Sequence, residues 1–269
     1  MKIGIMGAMP QEVDIILSHM TNVTSRDFGS RTYHAGKMNT HDVVLVFSRW
    51  GKVAAATTAT TLITEFKIDQ LIFTGVAGAS SAELNIGDIV VSSQLYQHDM
   101  RSKFFPDGEI PLTGITLFKA DQTLIARANR AGSDLLTGSS SRAKIIEELT
   151  ALGVPHANPK CLLGIIATGD QFIDDAGQRA AIMAQRPETL AVEMEGAAVA
   201  QVCHDNQVPF VVIRTISDGA DHLAAEKFPT FVEKIAKHYS EYVVTNMLSE
   251  TPDNVKPEVK SGSVVSAGF

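Results

Sequence analysis

The chain has 269 residues, of which 45% are hydrophobic and 20% charged, and its formal net charge is −7. This length and composition are typical of a globular protein with one large core, and the negative charge argues against nucleic acid as a partner. No apolar run approaches the roughly 20 residues that a membrane span needs, and the N-terminus does not resemble a signal peptide. We therefore expect a soluble cytoplasmic protein with no membrane partner.

The chain offers no pattern that predicts a metal ion or a cofactor. Cys161 and Cys203 lack the spacing of metal ligands and lie among apolar residues, so we expect buried free thiols. Two isolated pairs of histidine and aspartate, at 98–99 and 221–222, supply too few ligands for a metal site. Neither GxGxxG nor GxxxxGKS/T occurs, which leaves dinucleotide and triphosphate loops unsupported.

Strand and helix patterns alternate along the chain. Apolar runs bounded by glycine or polar residues predict strands at 2–6, 32–37, 42–47, 69–74, 89–92, 162–168, 190–192 and 209–216. Apolar residues at helical spacing predict one helix beginning at Pro10 and further helices at 51–66, 122–136, 140–152, 178–184, 196–206 and 226–248. We expect Gly75 and Gly78 to end the strand at 69–74.

This alternation predicts an α/β protein: a three-layer sandwich with a central mixed β-sheet flanked by helices. The strands at 32–37 and 42–47, joined by turn-like residues, supply an antiparallel part of the sheet. We assign residues 1–248 to one domain. Residues 249–269 contain two prolines, lysines and a Ser/Gly-rich end, and we expect them to form a flexible tail.

Small or acidic residues follow several of the predicted strands. They are Gly7-Ala8, the run from Gly75 to Gly78, Gly169-Asp170 and Ser217-Asp218. Open α/β sheets bind ligands where their strands end, so neighbouring strands would bring these residues to one crevice. Gly75 and Gly78 would let the backbone approach a ligand closely. The alternative for each glycine is a tight turn without a ligand.

Four charged residues near these strand ends are candidates for chemistry. Asp218 follows a buried strand, where a carboxylate needs hydrogen bonds or a raised pKa; the alternative is a helix cap or a turn aspartate. Glu12 lies in the first turn of one helix and Glu195 starts another, so the alternative for both is a helix-dipole partner, and for Glu12 also a solvated surface residue. Arg214 lies within the strand at 209–216, and we expect it to pair with a buried carboxylate.

Six segments carry a resemblance to a known family. They are KIGIMGAMPQEV at the N-terminus, SRWGKVAAA around residue 50, FTGVAGA at 73–79, TGDQFI at 168–173, VEMEGAAVA at 192–200 and RTISDGAD at 214–221. In these segments, their order and their approximate spacing, the chain resembles the 5′-methylthioadenosine/S-adenosylhomocysteine nucleosidases of the nucleoside phosphorylase superfamily. The resemblance covers about residues 1–248 and implies the fold of that superfamily.

The resemblance implies an activity and divides the catalytic work. The enzyme would hydrolyse the N-ribosidic bond of methylthioadenosine and S-adenosylhomocysteine, releasing adenine and the 5′-thioribose product in methionine salvage, with no cofactor. Glu12 would activate the attacking water. Asp218, supported by Ser217, would protonate adenine at N7. Met194 and Glu195 would hold the ribose hydroxyls.

The resemblance also implies the walls of the substrate site. The other implied substrate-binding residues are Ala8, Trp50, Val76, Ala77, Gly78, Phe172, Ile173, Glu193, Arg214 and Phe228. Phe172 would stack on adenine, the backbone of Ile173 would read the adenine edge, and Phe228 would lie beside the alkylthio group. In this family a second subunit closes that end, so we expect a homodimer. The residues that the partner subunit would supply are Phe104, Phe105 and Pro111.

Two features depart from the family pattern. Trp50, near the loop over the sugar, is bulkier than the isoleucine expected at that position. The segment DMRSKFFPDG at 99–108 carries Arg101 and Lys103 where relatives often have a second acid. This segment bears on the wall that the partner subunit would supply, and so on which 5′ substituents the pocket accepts.

These residue types suit cleavage between ribose and purine. Positive charge develops on the sugar and negative charge on the base, so an acid at N7 improves the leaving group and a second carboxylate activates water on the opposite face. A carboxylate on the ribose hydroxyls orients the substrate and favours the cationic sugar. Loss of either acid should cost on the order of 10²–10⁴ in rate.

Two other functions and several substrates remain open. A phosphorylase would use phosphate instead of water, but residues 71–74 contain no arginine, Glu12 adds negative charge, and Arg49 is the one cation nearby. An inactive nucleoside-binding protein would keep the fold, but both candidate acids are present. The pattern does not rank methylthioadenosine, S-adenosylhomocysteine, 5′-deoxyadenosine and aminodeoxyfutalosine as substrates.

Overall fold

The computed structural model describes residues 1–154, 156–220 and 224–249. The strands are β1 (Lys2–Gly7), β2 (Thr21–Phe28), β3 (Arg31–Met38), β4 (His41–Phe47), β5 (Gln70–Ala79), β6 (Ile89–Gln97), β7 (Phe118–Lys119), β8 (Cys161–Thr168), β9 (Thr189–Glu193) and β10 (Phe210–Asp218). The helices are α1 (Pro10–Leu17), α2 (Lys52–Thr64), α3 (Gln122–Thr137), α4 (Ser139–Ala151), α5 (Ala176–Gln185), α6 (Gly196–Asp205), α7 (Ala224–Phe231), a π-helical turn (Val232–Ala236) and α8 (Lys237–Met247).

The strands join one mixed sheet. β1 pairs in parallel with β4 and β5, and β10 lies parallel on the other side of β5. Beyond β4 the sheet continues through β3 and β2 as antiparallel strands. Two groups of helices flank it: α1 and α3 pack on α8, and α2 packs on α6. The predicted α/β class with a central mixed sheet is confirmed.

Part of the sheet closes on itself, which the sequence does not predict. β10 pairs antiparallel with β6, β6 pairs with β8, β8 with β9, and β9 with the end of β5, which returns to β10. Both edges of β10 are therefore paired, and all nine of its residues are buried. This closure explains why the charged residues of β10 lie inside the protein.

The ends of three parallel strands are aligned. Gly7 of β1 pairs with Thr74 of β5, and Thr74 pairs with Ile213 of β10. Parallel strands in this register point their carboxyl ends at the same edge of the sheet. The residues that follow therefore meet at one place, as the sequence predicts.

Besides shifted element ends and the short strand β7, which has no predicted counterpart, three elements differ from the prediction. β5 continues through both glycines to Ala79, because β10 and β9 supply ladder partners there. β2 is absent from the prediction because all eight of its residues are exposed, so no alternation of apolar and polar residues marks it. The final helix begins at Ala224, and a π-helical turn follows soon after Pro229, which lacks the backbone N–H that a regular helix needs.

The structure bears in part on the other predictions. Residues 250–269 of the predicted tail lie outside the described residues, so the domain boundary at 248 stays a prediction. None of the described helices is long and apolar enough to cross a bilayer. Both cysteines are free; Cys203 is buried as expected, whereas Cys161 is only partly buried.

Candidate active site

A cavity opens where β1, β5 and β10 end, and the empty space within it and at its mouth is about 670 Å³. Its walls bring together most of the predicted site: Ala8, Trp50, Val76, Ala77, Gly78, Phe172, Ile173, Glu193, Met194, Glu195, Ser217, Asp218 and Phe228. Met9, Gln171 and Val192 also line it. Sequence reasoning missed these three, although each is a close chain neighbour of a predicted residue.

Five predicted residues do not line this cavity. Glu12 and Arg214 are wholly buried and lie outside the lining. Phe104, Phe105 and Pro111, which the sequence assigns to a partner subunit, are also not among the lining residues of this subunit. The side chain of Phe104 is 89% exposed.

Asp218 ends β10 at one side of the cavity. The pairing register with β5 shifts between Ile216 and Asp218, so the strand is irregular where the carboxyl group reaches the cavity. The Ser217 hydroxyl donates to Asp218 Oδ2 at 2.6 Å, and the Ala220 amide donates to Oδ1 at 2.9 Å. Asp218 is only 3% exposed, so these donors satisfy a buried carboxyl group at the cavity wall.

Gly78 is needed beside Asp218. A Cβ atom on Gly78 would lie 2.9 Å from Asp218 Oδ1 and 2.9 Å from the Ala220 Cβ. Both distances are too short for a real contact, so a larger residue would displace the carboxyl group. Gly78 thus serves a close approach to the candidate acid within a continuous strand, rather than a tight turn.

Two aromatic rings form the wall beyond Asp218. Phe172 and Phe228 meet edge to face, with ring centroids 5.8 Å apart. Phe172 is 42% exposed, so much of this large apolar ring faces the opening. Such a ring offers a flat surface to a planar base.

Glu193 is saturated by protein donors. It accepts hydrogen bonds from the Thr168 hydroxyl, from the backbone amides of Glu195 and Gly196, and from Arg214 Nε and Nη2 at 3.1 and 2.6 Å. The expectation that Arg214 pairs with a buried carboxylate is confirmed. With its oxygens so occupied, Glu193 holds Arg214 and the start of α6 in place.

The guanidinium of Arg214 packs against the Phe73 ring and lies close to Gly75. It lies 4.2 Å from the centroid of the Phe73 ring, a cation–π contact. A Cβ atom on Gly75 would lie 2.9 Å from Arg214 Nη1 and 2.7 Å from the Ala8 Cβ. Gly75 therefore leaves the space in which the buried cation sits between the strand and the cavity wall.

Glu195 presents its carboxyl group to the cavity. Its Oε1 accepts a hydrogen bond from the Gly51 amide at 2.9 Å, and Oε2 lies 4.0 Å from Arg214 Nη2. Burial and the neighbouring Glu193 carboxylate raise the pKa of Glu195, while Arg214 opposes the rise. Glu195 makes no side-chain cap to α6; Glu193 bonds the Gly196 amide instead.

Glu12 lies next to the cavity wall but inside the core. Its Oε2 accepts from the Met9 amide at 3.0 Å and its Oε1 from the Ser240 hydroxyl at 2.6 Å. Burial raises the pKa of Glu12 to about 7, against the lowering effects of Ser240 and Arg214. The alternative of a solvated surface glutamate is wrong, because Glu12 is buried. Its bond to the Met9 amide does join it to the N-cap residue of α1.

Trp50 forms the rim of the cavity. Its indole N–H donates to the Ala8 carbonyl at 2.9 Å, yet 59% of the residue is exposed. The bond fixes the ring across the end of β1 while one face stays open to solvent. A ligand that extends out of the cavity would pass along this ring.

No metal centre is visible in the described part of the chain, where no three or more His, Cys, Asp or Glu side chains are arranged to hold an ion. The pair at 221–222 lies outside the described residues. Around Asp218 and Glu12 the acidic oxygens instead accept hydrogen bonds from protein donors.

Comparison with known proteins places this chain in a family. The family model of the Phosphorylase superfamily matches residues 2–249. The 5′-methylthioadenosine/S-adenosylhomocysteine nucleosidase of Actinobacillus succinogenes is 39% identical over 252 residues, which are 93% of this chain and 99% of the relative. The crystal structure of the nucleosidase of that name from Colwellia psychrerythraea, in complex with adenine, is 37% identical, with a TM-score of 0.78 over 93% of this chain and 95% of that one.

A further solved structure agrees. The nucleosidase of Streptococcus pneumoniae, with a transition-state inhibitor, is 35% identical and has a TM-score of 0.78 over 92% of this chain and 98% of its own. The chain therefore belongs to the phosphorylase superfamily and, within it, to the 5′-methylthioadenosine/S-adenosylhomocysteine nucleosidases. The resemblance carried by the six sequence segments is confirmed.

Proposed function

We propose that the protein hydrolyses the N-ribosidic bond of 5′-methylthioadenosine and S-adenosylhomocysteine and releases adenine. The observation that carries this proposal is a single cavity lined both by the Ser217–Asp218 pair with the Phe172 ring and by Met194 with Glu195. The first group would take a purine and the second a ribose. The names and ligands of the relatives support the same reaction.

Asp218 is the proposed general acid. With Phe172 stacked on adenine and the Ile173 backbone at the adenine edge, the Asp218 carboxyl group would share a proton with N7 and make adenine a better leaving group. Ser217 holds Oδ2 and the Ala220 amide holds Oδ1, so the acid is oriented before substrate arrives.

Glu12 is the proposed base for water. A pKa raised to about 7 means that a sizeable fraction of the carboxyl groups is ionised at neutral pH and that the group accepts a proton readily. Glu12 lies outside the cavity lining, but its carboxyl group bonds the amide of Met9, which lines the cavity together with Ala8. The attacking water must therefore reach Glu12 past these two residues. We infer that substrate binding orders one water there.

Glu195 and Met194 are the proposed ribose ligands. The carboxyl group of Glu195 suits the two ribose hydroxyls, and in its ionised form it would stabilise positive charge on the sugar. Glu193 and Arg214 would act on the substrate through Glu195, because Arg214 sits 2.6 Å from Glu193 and 4.0 Å from Glu195. We therefore revise these two from substrate-binding residues to positioning residues.

The protein is proposed to act as a cytoplasmic homodimer. Phe104 and Leu112 are each 89% exposed, and apolar side chains of that exposure suit contact with a second copy. In that dimer Phe104, Phe105 and Pro111 of one subunit would cover the Trp50 and Phe228 end of the other cavity. The two free cysteines fit a reducing compartment.

Water rather than phosphate is the proposed nucleophile. Beside Glu12, the described contacts add one cation, Arg214, and Glu193 already pairs with it. A phosphate dianion there would face the carboxyl groups of Glu12 and Glu195 with no free cation in the described part of the site. Turnover in rigorously phosphate-free buffer tests this; a strict need for phosphate would show a phosphorylase instead.

The experiment that tests the reaction measures adenine release from each nucleoside by the wild type, Asp218→Asn and Glu12→Gln. Each variant should lose on the order of 10²–10⁴ in kcat and still bind a substrate analogue. Asp175→Asn is the matched control, because Asp175 caps α5 and asparagine caps equally well. Adenine release by Asp218→Asn at the wild-type rate would contradict the proposal, and analogue binding without any release would favour a binding protein.

Side-by-side kcat/KM values would then rank the substrates. Trp50 and Phe228 line the cavity and offer apolar surface, and we place the 5′ substituent of the substrate beside them. A methylthio group would be buried there, whereas a homocysteine group would extend past Trp50 to solvent. We expect the higher kcat/KM for methylthioadenosine.

A further inference from the structure

A chain of three buried polar groups begins at Glu12. Ser240 Oγ lies 2.6 Å from Glu12 Oε1 and 2.6 Å from Thr74 Oγ1. The three residues are at most 2% exposed. They come from three elements: α1, β5 and α8.

The order of donors along this chain can reverse. When Glu12 is ionised, Ser240 must donate to it, because a carboxylate only accepts; Thr74 can then donate to Ser240. When Glu12 holds a proton, Glu12 can donate to Ser240, which turns its own hydrogen to Thr74. Either hydroxyl can be the donor in the bond between Ser240 and Thr74.

We propose that Ser240 is a positioning residue for Glu12, and that Ser240 with Thr74 keeps Glu12 hydrogen-bonded both before and after it takes a proton from water. This inference rests on the proposed function, since it assigns Glu12 the role of the base. An isolated buried carboxyl group would lose a partner in one of its two states. The relay removes that loss.

Other groups around Glu12 do not supply this. The Met9 amide donates to Glu12 in both states, the Ala8 amide donates to the Thr74 carbonyl, and Arg214 of β10 acts as a fixed positive charge. His238 and Glu241, the titratable neighbours of Ser240 on α8, lie 3.4 Å from each other on the partly exposed side of the helix. Among the described contacts of Glu12, only the Ser240 hydroxyl can reverse.

The test compares Ser240→Ala with Thr74→Val, and the two should move the acid limb of kcat/KM against pH in opposite directions. Ser240→Ala removes a hydrogen bond to the ionised carboxylate, so the midpoint of the acid limb should move up by about one pH unit. At pH 6 this gives about tenfold lower kcat/KM, and most activity is regained at pH 9. Thr74→Val removes the acceptor of the Ser240 hydroxyl when Glu12 is protonated and so disfavours the protonated form. The midpoint of the acid limb should therefore move down by about half a pH unit.

Two controls separate positioning from a general structural effect. Thr245→Ala removes a hydroxyl from the same helix whose bonds go to the Glu241 and Tyr242 carbonyls, and it should leave the limb in place. Ser240→Thr keeps the hydroxyl and should restore the wild-type limb. A limb that Ser240→Ala leaves unmoved, or that Thr245→Ala moves equally, would overturn the proposal. If Ser240→Ala does not fold, an unmoved limb in Thr74→Val would overturn it.

A readout without turnover distinguishes failure of this proposal from failure of the proposed function. Unfolding free energy against pH reports the ionisation of Glu12 in the folded protein. Ser240→Ala should raise the pH at which the decline in stability levels off in the wild-type background and have no such effect when Glu12 is replaced by glutamine. An equal effect in both backgrounds would refute the relay even if the enzyme proved inactive on both nucleosides.

Discussion

Replacing Glu193 by glutamine should destabilise the protein strongly. The substitution keeps the size of the side chain but leaves the Arg214 cation, which is 0% exposed, beside a neutral partner. Any orientation of the new amide also turns its NH₂ group toward existing donors: the Thr168 hydroxyl and Gly196 amide on one side, or Arg214 and the amides of Glu195 and Gly196 on the other.

The size of the loss follows from the burial of the pair. Removing one member of a buried ion pair costs about 3–5 kcal/mol, because the remaining charge is left uncompensated. The Thr168 hydroxyl can rotate to accept from the new amide, which places the estimate near the lower end, about 3 kcal/mol. For a domain of this size each kcal/mol lowers Tm by about 2–4 °C, so we expect a fall of about 6–12 °C.

Urea unfolding at pH 8, followed by far-UV circular dichroism, measures this loss. Glu188→Gln is the matched control: Glu188 pairs with Arg186 at 3.3 Å, but its side chain is 57% exposed, and such pairs contribute less than about 1 kcal/mol. If Glu193→Gln lost no more stability than Glu188→Gln, the assignment of Glu193 as the partner that holds Arg214 would be refuted.

Three further predictions concern the two candidate acids. Gly78→Ala should lower kcat at least tenfold by displacing Asp218, and steady-state adenine release at the wild-type rate would contradict this close approach. Arg179→Leu should lower kcat more than it raises KM, because Arg179 Nη1 donates to the Gly219 carbonyl at 2.8 Å and fixes the turn after Asp218; unchanged kinetics would show that the turn holds itself. Glu12→Gln should be more stable than the wild type at pH 8, by up to about 3 kcal/mol, and little different at pH 5. Burial raises the folded pKa of Glu12 from 4.5 to about 7, so the folded state binds the extra proton and loses stability as pH rises through 7, a loss that glutamine avoids; equal stability changes at both pH values, from urea unfolding, would contradict it.

The sequence predicts the residues of the cavity well because the residue type changes sharply from apolar to small or polar where the strands end. Gly75 and Gly78 interrupt an apolar run, and Ser217-Asp218 ends another, and each change reflects a packing need that the structure shows. Such positions can be found one strand at a time. They require only that the strands be neighbours, which the alternation of strands and helices favours.

What the sequence does not predict depends on contacts between distant elements. Glu193 and Glu195 are separated by one residue and have the same side chain, yet only Glu193 is saturated, because β8 and β10 aim Thr168 and Arg214 at it. Closure of the sheet has no local pattern, since it depends on β9 reaching the last two residues of β5. The interruption near Pro229 is different, because a local signal for it exists. Proline disfavours a regular helix, but the apolar pattern of 226–248 predicts one continuous helix there.

The proposed base and the proposed acid each depend on a contact between residues far apart in the sequence. Glu12 bonds Ser240, 228 positions later, and Gly78 meets Asp218 only when β10 pairs with β5. Contacts this distant in sequence form late in folding, because a long loop must close first. On the ribosome, the nascent chain therefore emerges almost completely before it can cleave a nucleoside, and a chain that ends before α8 lacks the Ser240 hydroxyl that bonds Glu12.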